Sequence, residues 1–282
     1  MENASIQGVT SLLRRYGLHP KKGLGQNFLV DKNILRKIVD GCGPTSADAV
    51  LEIGTGLGAL TLMLAEQAGQ VITVEIDNRL LPVIQEVFQE QPRVRLVQGD
   101  ILKVDWEKDL QPVPPYNKYL ICANLPYYIT SPIIFEILKH HYMIEHAVLM
   151  MQKEVADRLL AQPGTKEYGL LTVMVAWRAD VQPVTKVSRN CFYPVPDVDS
   201  RVIKLIPLKE PRVQLKNDEL FVKIVREAFQ KRRKTMTNVL SGIEGVSREQ
   251  APIILSGLNI DPQRRGETLT VDDFARIANK LC

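Results

Sequence analysis

The residues of this 282-residue chain best suited to chemistry are Asn124-Leu125-Pro126-Tyr127, which close the apolar run Tyr119-Leu120-Ile121-Cys122-Ala123. The run reads as a buried strand that stops at a rigid turn, and open α/β sheets bind ligands at the carboxyl ends of their strands. Pro126 has no N–H and restricts Leu125 to extended or turn geometry, which leaves nearby carbonyls free to face a cleft. The Asn124 amide sets a donor beside an acceptor, the pattern on an adenine edge, and Tyr127 offers a flat face for a base. Together they could hold an exocyclic amine and stack its ring. The same residues also fit a proline-terminated strand whose asparagine caps Ser131-Pro132 and whose tyrosines are interface core.

A second constellation lies upstream. Ala49-Val50-Leu51-Glu52-Ile53 is strand-like and leads into Gly54-Thr55-Gly56-Leu57-Gly58, then into a helical stretch through Leu60, Leu62, Met63 and Leu64. Glycines permit a tight turn and the close approach of a ligand to backbone N–H groups. Val71-Ile72-Thr73-Val74 reads as the next strand and ends in Glu75, 21 residues after Gly54. That spacing suits a carboxylate that binds ribose hydroxyls at a strand tip. The turn is GxGxG and lacks the late glycine of the dinucleotide pattern, and no Gly-Lys-Ser/Thr is present, which excludes a Walker loop. Glu52 adds a negative charge beside the pocket, awkward for a pyrophosphate and suited to a sulfonium or an ammonium. Its plainer role is to cap the N–H groups of the turn.

The elements that must position these residues follow in α/β order. Ile6 to Tyr16 carries a short helical period, followed by a loop, His19 to Phe28, with two lysines and two glycines. Asp31 can cap a helix carrying Ile34, Leu35, Ile38 and Val39. Leu80 to Phe88 is helical with Pro82 in its first turn, and Val94 to Gln98 is a third strand. Asp100, in Gly99-Asp100, could accept from an exocyclic amine or simply close a turn. Strands are expected over 146–151, 180–188 and 200–206, while Leu170 to Trp177 mixes helical and strand signals. The proline-stiffened loop Asn190 to Pro196 carries Phe192, which fits either a second face for a flipped base or an aromatic anchor to the core.

The composition turns polar and charged over 207–217, so a domain boundary is expected there: 1–45 as an N-terminal helical and basic segment, 46–207 as the core, and 208–282 as a small helical domain. The last has helical patterns at 220–229, 248–256 and 271–281. Lys231-Arg232-Arg233-Lys234 is either a solvated face or a phosphate contact. Residues 201–282 hold 16 basic and 10 acidic side chains, residues 1–40 hold 7 and 3, and the chain is +4 overall. Basic ends around an acidic middle suit a polyanion gripped around a catalytic body. Four scattered cysteines without CxxC or zinc-ligand spacing imply reduced thiols and no structural metal. Apolar runs too short to span a bilayer, and a start without an apolar core, lead to the expectation of a cytoplasmic protein.

Taken jointly, Gly25-Gln26-Asn27-Phe28-Leu29, Glu52 to Leu60, Glu75, Gly99-Asp100, Asn124 to Tyr127 and Phe192-x-Pro-x-Pro-x-Val-x-Ser200 resemble the rRNA adenine N6,N6-dimethyltransferase family, across nearly the whole chain. The resemblance implies a doubly wound, mostly parallel, seven-stranded Rossmann-like methyltransferase sheet with a C-terminal all-helical domain. It implies S-adenosylmethionine as cofactor, held by Gln26, Asn27, Leu29, Glu52, Gly54, Thr55, Gly56, Gly58, Glu75, Ile76, Asp100, Ile101 and Asn124. Asn124, Leu125, Pro126, Tyr127 and Phe192 would then form the catalytic clamp. Lys21, Lys22, Lys231, Arg232, Arg233, Lys234, Arg264 and Arg265 would contact RNA. The implied partner is 16S rRNA within an immature small subunit, met by a monomer away from any membrane. Three alternatives stand beside it: a 23S rRNA adenine N6-methyltransferase, a non-catalytic assembly or RNA-binding factor, and an NAD-type oxidoreductase, which the glycine spacing disfavours.

Overall fold

The computed structural model describes residues 2–230 and 233–282. Among them nine strands form: β1 (Phe28–Leu29), β2 (Ala49–Ile53), β3 (Gln70–Glu75), β4 (Val94–Gln98), β5 (Tyr119–Asn124), β6 (Ile144–Gln152), β7 (Ala179–Val187), β8 (Phe192–Tyr193) and β9 (Ser200–Pro207). Seven make one sheet in the order β4-β3-β2-β5-β6-β9-β7. The run from β4 to β6 is parallel, and β9 lies antiparallel to β6. This is the doubly wound, Rossmann-like sheet expected from the sequence. Strand order reverses between β2 and β5, so the ends of those two strands form the crevice in which such sheets take ligands.

Buried apolar runs explain why the central strands form. All five residues of β2 are buried, as are the first five of β5, as a parallel sheet covered on both faces requires. Val50, Leu120, Cys122, Val148 and Met150 pack with Ile34, Leu35, Ile38 and Val39 of helix Lys32–Cys42 and with Leu60, Met63 and Leu64 of helix Ala59–Gln67. Asp31 caps the first of these helices, accepting from Asn33 N at 2.9 Å and Ile34 N at 3.1 Å. Helix Ile6–Arg15 buries Val9, Leu12 and Leu13 against Phe28, Leu57, Leu80, Val83 and Ile84. The chain then returns through residues 17–27 into β1, which pairs antiparallel with β8.

The chain divides into two compact units, Met1–Ala156 with Val181–Lys209, and Asp157–Asp180 with Glu210–Cys282. The second is helical, with Leu170–Arg178, Asp218–Gln230, Met236–Leu240, Gln250–Gly257 and Val271–Leu281. Residues 157–180, expected in the sheet domain, are therefore part of the helical unit. Leu170–Arg178 is a helix whose Trp177 ring meets Phe221 at 5.2 Å and whose indole N–H donates to the Val213 carbonyl at 3.3 Å. Its apolar residues are nearly continuous, so sequence periodicity alone does not separate helix from strand. No helix among the described residues is long and apolar enough to cross a membrane.

Candidate active site

The glycine turn after β2 is shaped by backbone that only glycine adopts freely: Gly54, Gly56 and Gly58 have φ of +85°, +57° and +76°. Gly54 N donates to the Val74 carbonyl at 2.9 Å, and Gly56 N donates to Glu75 Oε2 at 2.9 Å. Glu75 Oε1 accepts from Asp77 N at 2.8 Å, so the carboxylate pins the turn of β2 to the turn after β3. A carboxylate has about four acceptor positions, which leaves roughly two for ligand hydroxyls. Burial pushes the Glu75 carboxyl upward, against these N–H contacts. Gly58 faces away from the cavity: a Cβ there would meet the Phe88 ring at 2.8 Å, so helix packing demands this glycine.

Glu52 shares a strand face with Val50 and is 1% exposed. Its Oε2 accepts from the Thr61 hydroxyl at 2.5 Å and the Thr73 hydroxyl at 2.7 Å, not from the N–H groups of the turn. Thr73 has spent its proton on Glu52, so Thr55 is the donor in the 2.7 Å contact between the two threonine hydroxyls. The network joins β2, β3, the glycine turn and helix Ala59–Gln67. Burial pushes the Glu52 carboxyl up to about 8, outweighing the two hydroxyls.

Asn124 ends β5 beside this turn, and a Cβ on Gly54 would stand 3.8 Å from the Asn124 carbonyl oxygen. The Asn124 side-chain Nδ2 donates to the Asn27 carbonyl at 3.3 Å, and no hydrogen bond of the described residues runs from Ser131 N to its Oδ1, so it does not cap that turn. Only the NH2 end can donate, so Oδ1 is the acceptor left over. The Pro126 carbonyl accepts from Ile129 N at 3.2 Å, while no hydrogen bond of the described residues ends on the Leu125 carbonyl. The Tyr127 hydroxyl meets the buried Ser200 hydroxyl at 2.8 Å, which fixes the ring. Tyr128, half exposed, also faces the cavity.

One cavity brings these groups together. Glu52, Gly54, Thr55, Gly56, Glu75 and Ile76 line it from β2 and β3, Asp100 and Ile101 from the segment after β4, and Asn124, Leu125, Pro126 and Tyr127 from β5. Gln26, Asn27 and Leu29 line it from the N-terminal segment. Gln26 has both ends of its amide engaged: Oε1 accepts from Lys21 N and Nε2 donates to Asp77 Oδ2, each at 2.8 Å. Burial raises the Asp77 carboxyl, but the Arg79 guanidinium and the Gln26 amide outweigh it and hold it at about 2. Asn3 is a lining residue with no sequence signal. Its Nδ2 donates to the Leu57 carbonyl at 2.8 Å, and its buried Oδ1 has no partner among the described residues. The lining carries three acids and, among the described residues, no lysine or arginine. A cationic ligand bearing hydroxyl and N–H donors fits this donor set, and S-adenosylmethionine is such a ligand; a pyrophosphate does not fit.

Several expected site residues lie elsewhere. Phe192 is 1% exposed and packs among the core side chains, held there by pairing with Leu29, so it is an aromatic anchor and not a face of the cavity. Arg264 donates through Nε to the Thr268 hydroxyl at 3.1 Å, bonds the Thr268 carbonyl through Nη2, and lies 3.6 Å from Asp273. It fastens the helical unit internally. Lys21, Lys22, Arg233, Lys234 and Arg265 are exposed, and Lys231 and Arg232 lie outside the described residues.

The profile of a family described as "Ribosomal RNA adenine dimethylase" matches residues 17–281. Ribosomal RNA small subunit methyltransferase A of Moorella thermoacetica is 44% identical over 287 residues, covering 100% of this chain and 99% of that protein. The protein of the same name from Geobacillus thermodenitrificans is 45% identical, with 96% and 94% covered. Among solved structures, a dimethyladenosine transferase from Plasmodium falciparum superposes with a TM-score of 0.74 at 29% identity, covering 88% of this chain and 94% of that one. The 23S rRNA methyltransferase ErmE superposes with a TM-score of 0.69 at 28% identity, with 90% and 99% covered.

Proposed function

This chain belongs to the ribosomal RNA adenine dimethylase family, and from that premise we propose that it transfers methyl groups from S-adenosylmethionine to N6 of adenines in 16S rRNA. The observation that carries the residue-level reading is the convergence, on one acid-lined cavity, of the glycine turn, Glu75 and the oriented Asn124 amide. S-adenosylmethionine supplies a methyl group on a cationic sulfur that departs as a neutral thioether. The free acceptor positions of Glu75 would take the ribose hydroxyls, and Asp100 would take the adenine amine of the cofactor. Gln26 contributes by placing Asn27, since its own amide is engaged.

The target base is drawn out of its stack onto the Tyr127 ring. Asn124 Oδ1 and the Leu125 carbonyl accept the two N6 hydrogens, which turns the amine lone pair toward the methyl group. Catalysis is then mainly positioning, plus dipoles placed against positive charge that develops on N6. The methylated nitrogen is very acidic and loses its proton to solvent, so no strong base is needed. The second transfer uses one acceptor, because one hydrogen has been replaced.

The substrate sites are two adjacent adenosines in a hairpin near the 3′ end of 16S rRNA, methylated late in assembly by a cytoplasmic monomer. Exposed Lys22, Arg233, Lys234 and Arg265 reach the phosphates. Relatives above 40% identity carry the small-subunit name, whereas ErmE is 28% identical, which favours 16S over 23S rRNA. Incubation with labelled cofactor and either immature small subunits or 23S rRNA tests the choice. Label in 16S rRNA is expected; label in 23S rRNA alone would move the chain to the other substrate.

A further inference from the structure

Asp77 is 3% exposed and sits two residues beyond Glu75. Its Oδ1 accepts from Arg79 Nε at 2.9 Å, and its Oδ2 accepts from Arg79 Nη2 at 2.6 Å and from Gln26 Nε2 at 2.8 Å. Arg79 Nη1 in turn donates to the His19 carbonyl at 3.4 Å. The segment from His19 to Asn27 is thus buckled to the tip of β3 at both its start and its end. Between these points it is tied to itself, with Leu24 N and Gln26 N donating to the Lys21 carbonyl. Asn27, the residue after the buckled glutamine, gives its carbonyl to Asn124. Asp77 N–H holds Glu75 as well.

We propose that Asp77 is a positioning residue, which fixes residues 21–27 over the cavity through Gln26 so that the Asn27 carbonyl orients the Asn124 amide. This rests on the cofactor reading of the cavity. A charge-assisted hydrogen bond to a buried carboxylate is among the stronger single contacts available to such a segment. Its direction is set by chemistry: the carboxylate accepts and the glutamine amide donates. Exchanging the two partners reverses the donor and the acceptor of the contact between positions 26 and 77, and the carboxylate introduced by Gln26→Glu would still accept from Lys21 N; the Arg79 Nη2 contact to Asp77 Oδ2 is lost in the exchange.

The test compares wild type, Asp77→Asn, Gln26→Glu and the double variant, with calorimetric binding of S-adenosylhomocysteine and amide hydrogen exchange at residues 19–27. Each single variant is expected to weaken binding by roughly tenfold or more and to speed exchange in that segment. The double variant is expected to recover, relative to Asp77→Asn, the part of both that the contact between positions 26 and 77 carries. A merely structural role would not give reciprocal rescue, so a double variant no better than Asp77→Asn overturns the proposal. Singles that bind and exchange like wild type overturn it too. A wild-type chain that does not bind the ligand at all overturns the cofactor reading and this inference with it, which separates the two failures.

Discussion

The Asn124 side-chain amide donates to the Asn27 main-chain carbonyl at 3.3 Å, across 97 residues of sequence. An asparagine at a strand end can point either way round. This contact consumes its donor end and leaves Oδ1 to accept, which is the end an amine needs.

Replacing that residue separates chemistry from binding. Asn124→Ala is expected to lower single-turnover methyl transfer by about 10²- to 10³-fold while cofactor affinity stays close to wild type. Asn124→Asp is expected to fare no better, because a carboxylate cannot donate to the Asn27 carbonyl. Unaltered turnover in either variant would remove the proposed role of the amide.

Glu52 gives the cofactor-free protein a pH dependence. Its folded carboxyl titrates at about 8, far above an exposed carboxylate. Between the ordinary carboxylate range and about 8 the folded chain keeps a proton that the unfolded chain has released. Stability therefore falls as pH rises through that window and levels off above it. Glu75, also raised by burial, acts in the same direction. Denaturant midpoints from pH 5 to pH 9 should show the fall, and Glu52→Gln, which keeps an acceptor for Thr61 and Thr73, should flatten part of it.

The same carboxyl distinguishes cofactor from product. A cationic sulfonium favours the carboxylate form, and the thioether of S-adenosylhomocysteine does not. Near pH 7, S-adenosylmethionine should release more protons on binding than S-adenosylhomocysteine. Calorimetry in buffers of different ionisation heat measures this number, and equal release for the two ligands would argue against a charge on sulfur near Glu52.

Tyr127 separates ring from hydroxyl. Tyr127→Ala removes a stacking face worth about 1–3 kcal/mol per base, so kcat/KM for rRNA should fall by roughly 10- to 100-fold. Tyr127→Phe keeps the face and leaves the buried Ser200 hydroxyl without its partner, which costs about 1–3 kcal/mol of stability and little of the rate. A Phe variant as slow as the Ala variant would show that the hydroxyl, not the face, matters.

Two neighbouring arginines should behave differently. Arg264→Ala breaks contacts to Thr268 and Asp273 and should lower the unfolding midpoint of the helical unit. Arg265→Ala should leave that midpoint unchanged and reduce the salt dependence of rRNA binding by about one ion. Filter binding at several salt concentrations, with thermal melts alongside, checks both.

The sheet was legible because its strands are runs with clear ends: 94–98 is β4, and 119–123 falls one residue short of β5. The glycine turn, Glu75, Asp100 and Asn124 were legible because local spacing sets their place at strand tips. Long-range pairs were not. Nothing near Phe192 announces its pairing with Leu29, which buries the ring that the loop sequence offered as a stacking face. Nothing near Arg264 marks Thr268 and Asp273 as its partners, and an exposed and a fastened arginine look alike in a basic run. Asn3 and Asp77 escaped for the same reason, since each acquires its meaning from a partner more than 50 residues away.

The most direct test of the central claim is nucleoside mass spectrometry of 16S rRNA from immature small subunits, incubated with the purified protein and S-adenosylmethionine. Membership of the dimethylase family predicts N6,N6-dimethyladenosine at adjacent positions, and the geometry at Asn124 and Leu125 predicts its loss with Asn124→Ala. RNA that carries no methylated adenine, or methyl groups on ring nitrogens or ribose instead of N6, would contradict it.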